Sequence, residues 1–467
     1  MKKKNLCFFS LLSLYFVVSM VSCLGPGIIT SMSDVNFDNP TNPEERVDFS
    51  SPYSGDFLLA NNEYWDGEKS TSTGPLPSIQ NRKINEDDYV LPKGLPFSAY
   101  KVDHLPGLDF KFSKELLIHS EKNNVKRRIV GDTQEFFVKN FKEGSDEIIT
   151  ATLQAVGLRC EVWAHDTTDI NIAMAEEITE EFDSVIWPKI TSNFYIPSDV
   201  NSDGKISILI YDIQDDFEST GVYTGGYFWR GDLLDIPNSN RMEIFYIDTY
   251  PSMHYPKSDP IEVSKAFSTI VHEFQHMVNF NRNCIVEDGE PMSVWIDEGL
   301  SMAAEKLVYG PDELNGRLEY YNTSVGIKNG HSLTYWDYTG ETLANYSLSY
   351  LFMQYLKIQI NQGESVYKEI IEDASNDYKS IQNILNKYFN SILFGDFMTN
   401  WRIAIILKED KGIFGFGGEQ SFDILSTQIY TGSSMLLRGG GAILKFLSED
   451  FEPAEEVDAS IQFAGIN

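Results

Sequence analysis

The sequence predicts an α+β fold in which strands come first and most of the helices follow. Short runs with alternating apolar residues occur over 134–138, 160–163 and 206–210, and this period of two is typical of strands. Longer segments with apolar residues at helical spacing follow over 263–278 and 292–309. With 467 residues, the chain can form roughly two or three domains with sizeable cores.

Composition divides the chain into successive segments. Residues 1–22 are a predicted signal peptide, and 23–88 are a predicted flexible tether, because they are rich in Ser, Asn, Pro and Gly without sustained periodicity. Residues 89–165 contain short strand-like runs between turns and are predicted to form a small β domain. Residues 166–407 form the main α+β unit, and 408–467 form a Gly-rich segment with alternating runs, predicted to be β.

The N-terminus has the composition of an export signal. Lysines at positions 2–4 precede an apolar run over 6–21. Residues 20–23, Met-Val-Ser-Cys, resemble a bacterial lipobox, although Met stands where Leu is usual. We therefore predict that Cys23 is lipidated and anchors the chain to a bacterial membrane or cell surface. The alternatives are plain secretion and a retained membrane helix.

The charge of the chain excludes some classes of partner. A formal net charge of −32 opposes nonspecific binding to nucleic acid or to anionic lipid, and it favours solubility. We expect a monomer that does not bind nucleic acid. Of the 4 Cys, Cys7 lies in the signal peptide and Cys23 is the predicted lipid site. Cys160 and Cys284 remain, which allows one disulfide at most.

The most informative motif is His272-Glu273-Phe274-Gln275-His276. Two His four residues apart on a helix lie on the same side, so both imidazoles can bind one tetrahedral zinc. Glu273 lies beside them and can take a proton from water that the metal activates. If a carboxylate on a following helix supplies the third ligand, the fourth position stays open for water and substrate, which is typical of a catalytic zinc.

The surroundings of this motif favour the metal site over an ordinary amphipathic helix with two partly buried His. Apolar residues over 263–278 cover a broad surface of the predicted helix, and burying His and Glu side chains is unfavourable unless they are paired or bind a metal. Asp259 and Pro260 are expected to begin this helix as N-cap and first residue, with Glu262 completing a capping box.

A second predicted helix over 292–309, ended by Gly310, offers the third ligand. Asp297 and Glu298 are adjacent on it, and neighbours on a helix point about 100° apart, so only one of them can face the metal. Glu305 shares the face of Glu298 and is expected either to contact a ligand His or to be solvated. Other acids downstream of the motif lie in a polar predicted loop, namely Glu287, Asp288 and Glu290.

This arrangement resembles the gluzincin peptidases, and within them the hyicolysin family of bacterial metallopeptidases. Further patterns that carry the resemblance lie between 199 and 356, at 225–229, 242–248, 271–281, 295–305 and 345–352. The resemblance implies a zincin-like catalytic domain with a mixed sheet and a helical half, and the strand-like runs on either side predict that small β domains flank it. It also implies an endopeptidase with one zinc, polypeptide substrates and a secreted or surface location. It favours Glu298 as the third ligand.

The resemblance also implies a strand for substrate and a group for the oxyanion. Gly225, Gly226, Tyr227 and Phe228 occupy the place of an edge strand, which can pair with an extended substrate backbone; the alternative is a buried strand with aromatic packing. No acid occurs between 220 and 229, which argues for an endopeptidase over an aminopeptidase. The predicted oxyanion donor is Tyr346, with two rivals, His331 and Tyr350.

A second cation is predicted in a loop before the strand at 206–210. Asp199, Asn201 and Asp203, followed by Gly204, fit the first half of a calcium loop. The usual acid at position 12 is missing, since Ile210 stands there. The alternative is an Asx-rich turn that leads into the strand.

The sequence leaves one alternative to an enzyme, a non-catalytic, zinc-stabilised surface lipoprotein that binds a host or matrix protein. Glu273 favours the enzyme, because this carboxylate serves the chemistry more than the fold.

Overall fold

The computed structural model describes residues 55–61, 67–77, 91–104, 112–118, 127–338, 340–447, 451–454 and 457–466, with only the backbone described for 55–59. The predicted signal peptide and the predicted lipidation site at Cys23 therefore lie outside the described residues. Within the described ranges, no helix is both long enough and apolar enough to cross a membrane.

The main sheet of the protein is mixed. The strands of the described chain are β1 (Gly55–Asn61), β2 (Ser70–Ser72), β3 (Lys101–Val102), β4 (Thr133–Asn140), β5 (Ser145–Val156), β6 (Cys160–His165), β7 (Ile206–Tyr211), β8 (Tyr223–Thr224), β9 (Gly226–Tyr227), β10 (Ile244–Asp248), β11 (Leu436–Arg438), β12 (Ala442–Leu447) and β13 (Ile461–Ile466). The main sheet has the order β4-β5-β6-β7-β10-β9. Its centre, β6-β7-β10, is parallel, and the outer strands join antiparallel. Together with the helices below, it confirms a mixed α and β architecture.

This sheet crosses the domain boundary that the sequence predicts at residue 165. β6 pairs in parallel with β7, from Cys160 opposite Ile206 to Ala164 opposite Ile210. The prediction of a separate small β domain over 89–165 is therefore wrong, since β4, β5 and β6 extend the main sheet. The alternation of apolar residues in a strand shows which face is buried but not which strand will pair with it.

The predicted tether and the C-terminal segment also meet. β1 lies between β12 and β13, and β2 pairs with β11, with Ala60 opposite both Ala442 and Gln462. The prediction that all of 23–88 is a flexible tether is therefore wrong for β1 and β2, whose partners lie at the other end of the chain. The C-terminal segment over 408–467 does contain β11, β12 and β13.

The helices fill most of the second half of the chain. They are α1 (Ile172–Glu181), α2 (Trp187–Asn193), α3 (Phe217–Thr220), α4 (Phe267–Phe280), α5 (Val294–Tyr309), α6 (Asn315–Thr323), α7 (Val325–Lys328), α8 (Thr342–Ile360), α9 (Ser365–Glu372), α10 (Tyr378–Tyr388) and α11 (Phe394–Leu407). The backbone forms π-helical turns after α1 and after α4, at Phe182–Ile186 and Asn281–Val286. α5 ends at Gly310, whose φ of 92° suits glycine.

The helix that carries the His motif begins elsewhere than the sequence predicts. The helix that carries the His motif, α4, begins at Phe267 after a 3-10 turn, and not at Pro260. Glu262 has an extended backbone and donates its N–H to the carbonyl of Met253 at 3.1 Å, so it cannot take part in a capping box.

The main sheet separates two cores, and the His motif lies in the larger one. Along β7, Ile208 and Ile210 face the core that α4, α5 and α8 share, whereas Leu209 and Tyr211 face a smaller core on the other side. Almost every residue of α4 is buried, so its polar side chains must find partners inside the protein.

The two cysteines of the described chain do not pair. Cys160 and Cys284 are both free and buried, and burial raises the pKa of each thiol. Both act as small apolar residues of the interior.

Candidate active site

His272, His276 and Glu298 meet where α4 packs on α5. The rings of the two His lie 4.8 Å apart between centroids. Oε2 of Glu298 lies 3.0 Å from Nε2 of His272, and Oε1 lies 3.4 Å from Nε2 of His276. All three residues are buried, and one ligand atom from each lies within 4.8 Å of the others. Two imidazoles and one carboxylate around a common point fit a zinc ion with one further position for water or substrate.

The other nitrogen of each His contacts a second carboxylate. Nδ1 of His272 donates to Oε1 of Glu305 at 2.7 Å, and Nδ1 of His276 lies 3.0 Å from Oδ2 of Asp297. Asp297 and Glu298 therefore take different places, because adjacent residues on α5 point in different directions. A carboxylate on Nδ1 fixes the ring orientation and leaves Nε2 to bind the metal.

The charges of this cluster suit a cation. Burial alone would lower the pKa of His272, but the carboxylates of Asp103, Glu298 and Glu305 outweigh it and raise that pKa to about 10. Burial favours a protonated Glu298, yet the two imidazoles hold the pKa of this carboxyl well below its usual range. The negative charge that retains protons on the imidazoles also attracts a divalent cation, which would displace those protons on binding.

Glu273 is a buried carboxylate without a hydrogen bond. Neither of its oxygens accepts one from the described residues, and burial raises its pKa to about 8. Buried carboxylates normally accept hydrogen bonds, so the described residues leave room for a further partner of Glu273. A water molecule beside the metal fits this place, and a raised pKa suits a group that accepts a proton and then returns it.

The predicted substrate strand lies at an edge of the main sheet. β9 pairs with β10 on one side only. A Cβ on Gly226 would lie 2.7 Å from the carbonyl oxygen of Tyr246 and 2.8 Å from Cγ2 of Thr269, so a side chain here would separate the strand from α4. A Cβ on Gly225 would lie 2.8 Å from Cδ of Lys101, which shows how closely another chain segment approaches.

The side chain of Tyr227 points away from this edge and into a group of buried aromatic rings. Its ring stacks on Tyr246 at 4.2 Å, and its hydroxyl lies 2.9 Å from that of Tyr211. These contacts fit the alternative of aromatic packing for this side chain, and pairing of the strand's backbone with substrate stays a prediction. Phe228 faces the site side, where it lines a groove together with His276 and Phe280.

The hydroxyl of Tyr346 lies beside the residues that surround the metal ligands. It accepts hydrogen bonds from the backbone N–H of Asp103 at 2.8 Å and of His104 at 2.7 Å. Nδ1 of His104 lies 3.7 Å from Oε1 of Glu298. By contrast, Nε2 of His331 bonds to Asn345, and the hydroxyl of Tyr350 has no hydrogen-bond partner among the described residues.

Comparison with known proteins agrees with this geometry. No protein-family model matches the chain. The chain is 36% identical over 417 residues to the neutral metalloprotease ShpI of Staphylococcus hyicus. The matched region covers 88% of this chain and 93% of that protein. The chain belongs to this neutral metalloprotease family. The prediction of a zinc metallopeptidase, and so of a hydrolase, is confirmed.

The sequence alone does not predict several residues that lie near the active site of this metalloprotease. Asp103 lies within 4.8 Å of His272 and Glu273, measured between ligand atoms. Nζ of Lys101 lies 3.2 Å from Oε2 of Glu305. The only signal in the sequence is the pair of titratable residues Asp103-His104, which is too common to point to a metal site far along the chain.

The predicted calcium loop of the metalloprotease forms a turn held by its own side chains. Oδ1 of Asp199 accepts from the N–H of Gly204 at 3.0 Å, and Oδ1 of Asp203 accepts from the N–H of Lys205 at 2.8 Å. Oδ2 of Asp203 lies 3.3 Å from a guanidinium nitrogen of Arg128, and Oδ1 of Asn201 accepts from the N–H of Asp203. These contacts favour the Asx-rich turn, and calcium here stays a prediction.

Proposed function

We propose that this metalloprotease is a gluzincin endopeptidase of the hyicolysin type that hydrolyses internal peptide bonds of extracellular polypeptides. The observation that carries the proposal is the meeting of His272, His276 and Glu298 beside the carboxylate of Glu273, which accepts no hydrogen bond from the described part of the chain. The three ligands would hold one zinc ion, and Glu305 and Asp297 would orient the two imidazoles.

The chain's own residues can carry the proton transfers of the reaction. A zinc ion bound at the site supplies a Lewis acid that makes water a nucleophile at neutral pH and polarises the scissile carbonyl. Glu273 takes one proton from the attacking water and then donates it to the departing amine nitrogen, so that it ends the cycle ionised as it began. The hydroxyl of Tyr346 donates a hydrogen bond to the oxyanion, an interaction worth on the order of 3 kcal/mol of the barrier.

The substrate backbone is proposed to pair with the edge formed by Gly225 and β9. Gly225 supports this assignment, because its missing side chain lets a neighbouring chain approach closely. The segment 220–229 carries no acid that would bind a free amino terminus, and this favours internal cleavage. If blocking the amino terminus of a peptide abolished its cleavage, the aminopeptidase alternative would replace the proposal.

Export and lipid anchoring through Cys23 belong to the same proposal. They rest on the lysines at 2–4, the apolar run over 6–21 and the lipobox-like residues that follow. A chain anchored in this way should partition into detergent, and Cys23→Ser should release it into the aqueous phase. Partition of the two chains into the same phase would contradict anchoring and leave plain secretion.

The proposed activity can be tested with an unstructured substrate such as casein. We expect the wild-type chain to hold zinc and to cleave casein, and Glu273→Gln to hold zinc without cleaving. The matched control is Glu177→Gln, since Glu177 is exposed on α1 and should leave both properties unchanged. Cleavage by Glu273→Gln at the wild-type rate would refute the role of Glu273. A zinc-loaded chain that never cleaves would favour the surface binding protein instead.

A further inference from the structure

A segment that precedes the main sheet in the sequence occupies the strand that leads into the proposed substrate edge, as far as Gly225. β3 pairs in parallel with β8, Lys101 opposite Tyr223 and Val102 opposite Thr224. The N–H of Gly225 continues the pairing and donates to the carbonyl of Val102 at 3.1 Å. An extended chain therefore already occupies the strand edge beside the metal ligands.

This segment is anchored at several points. The ring of Phe97 stacks on Tyr223 at 4.7 Å and on Tyr255 at 5.4 Å. The buried ammonium of Lys101 lies 3.2 Å from Glu305, and the carbonyl of Lys101 accepts from Arg317 at 2.9 Å. A cavity of about 350 Å³ beside it is lined by the same groups, including Phe97, Lys101, Tyr223 and Glu305. A stacked ring and a paired backbone are also the contacts that hold a bound peptide on a protein surface.

Asp103 is the residue of this segment whose side chain could bind the metal. Its side chain is buried, and neither carboxylate oxygen accepts a hydrogen bond from the described residues. Oδ2 lies 3.9 Å from Nε2 of His272, the nitrogen that also faces Glu298. Burying an ionised carboxylate without hydrogen bonds is strongly unfavourable unless a cation balances it. Nζ of Lys101 also lies 3.9 Å from Oδ2, so its ammonium balances part of this charge. A ligand atom of Asp103 lies within 4.8 Å of ligand atoms of His272 and Glu273, which places the carboxylate beside the metal ligands.

The same segment engages the predicted oxyanion donor. The backbone N–H groups of Asp103 and His104 both donate to the hydroxyl of Tyr346. A substrate carbonyl cannot reach this hydroxyl while residues 103–104 remain there. Residues 101–104 thus occupy three places at once: the strand edge, the approach to the metal and the hydroxyl of Tyr346.

We propose that residues 97–104 are an internal inhibitor of the protease, in which Asp103 takes the fourth position on the zinc. The proposal rests on the proposed function of the three-ligand site. Release would be a ligand exchange: the carboxylate of Asp103 would leave the metal and water would take its place, while the departing segment would free Tyr346 and the edge formed by β8 and Gly225. Because the ligand belongs to the same chain, its effective concentration is high, and it competes with any external ligand for the fourth position.

The test measures access to the metal without relying on activity. The full-length chain is loaded with cobalt(II), and acetohydroxamate, a small metal-binding ligand, is titrated while the visible absorption of cobalt is followed. We expect Asp103→Ala to keep its metal through the other three ligands and to bind acetohydroxamate about tenfold tighter than the wild type. Lys93→Ala is the matched control, since Lys93 is exposed on the same stretch. Equal affinities in wild type and Asp103→Ala would overturn the proposal.

A second variant loosens the segment and leaves every ligand in place. Phe97→Ala removes the stacked anchor, and Phe446→Ala is its control, because both rings are exposed by a third or more, 36% and 50%. We expect Phe97→Ala to bind acetohydroxamate more tightly than the wild type and Phe446→Ala to match it. If Phe97→Ala also matches the wild type, the segment does not act as an inhibitor.

Casein cleavage separates this inference from the proposed function. Tighter acetohydroxamate binding by Asp103→Ala, together with faster casein cleavage, supports both. Tighter binding without cleavage by any variant supports the internal ligand and contradicts the peptidase mechanism. Equal binding and equal cleavage by all variants contradict the inhibitor and leave the proposed function in place.

Discussion

Oε1 of Glu305 accepts a hydrogen bond from Nδ1 of His272 at 2.7 Å, while Oε2 of the same carboxylate lies 3.2 Å from Nζ of Lys101. Glu305 therefore links the imidazole of a metal ligand to the proposed inhibitory segment, residues 97–104. The ammonium of Lys101 and the imidazole of His272 hold the pKa of Glu305 below its usual value against the effect of burial. An ionised Glu305 keeps Nδ1 protonated and directs Nε2 to the metal.

Glu305→Gln should weaken zinc binding without removing a ligand. A neutral amide is a poorer acceptor for Nδ1, so we expect zinc affinity to fall about ten- to a hundredfold. The measurement is a titration against a chelator of known affinity, with Glu177→Gln as control. Unchanged affinity would mean that Glu305 only neutralises Lys101.

The third ligand can be identified by comparing neighbours on α5. Glu298→Ala should lose most of the bound zinc, since Glu298 lies against Nε2 of both His residues. Asp297→Ala should keep its zinc, with weaker affinity, because Asp297 contacts Nδ1 of His276 and not the nitrogen that faces Glu298. Metal content after dialysis decides. Equal retention by the two variants would contradict the assignment of Glu298.

Tyr346→Phe should lower kcat about a hundredfold, on the order of 3 kcal/mol, with KM and zinc content nearly unchanged. The control is Tyr350→Phe, because the hydroxyl of Tyr350 is buried without a hydrogen-bond partner among the described residues. Both variants are compared in the Asp103→Ala background, where the proposed inhibitor is weakened. A large loss in Tyr350→Phe and none in Tyr346→Phe would reverse the two assignments.

The sequence predicts what depends on spacing within a helix. The i, i+4 spacing of His272 and His276 brings their rings to one side of α4, and the choice between Asp297 and Glu298 reduces to which of two directions on α5 faces α4. Helical geometry is local, so these contacts follow from a few residues. Zinc chemistry and the mixed fold could be predicted for this reason.

The sequence does not predict what depends on pairing between distant strands. Nothing in the alternation of β1 identifies β12 and β13 as its neighbours, and nothing near Asp103 indicates that β3 will pair with β8 beside α4. Strand pairs are chosen by packing and by chain closure over long separations. The sequence alone therefore could not predict the domain boundaries or the position of residues 101–104 beside the metal ligands.

Glu243 directly precedes the buried strand β10. Its burial predicts that the stability of the folded protein depends on pH, independently of the active site. Its Oε1 accepts from Oγ of Ser198 and from the N–H of Val200, both at 2.7 Å. Its Oε2 accepts no hydrogen bond from the described residues. Burial raises the pKa of Glu243 from 4.5 to about 7, so the folded protein holds a proton that the unfolded chain releases near pH 4.5.

The sign of the effect follows from this difference. The stability that Glu243 contributes is complete below pH 4.5 and is lost as the pH rises through about 7, because ionising the buried carboxyl is unfavourable. Glu243→Gln has no proton to lose, so it should gain on the wild type between about pH 5 and about pH 8.5, by on the order of 1–3 kcal/mol. Melting temperatures of both chains at the two pH values measure the gain, and Glu177→Gln, at an exposed position, should show none. If the difference between Glu243→Gln and the wild type is the same at both pH values, the carboxyl of Glu243 is already ionised at the lower one.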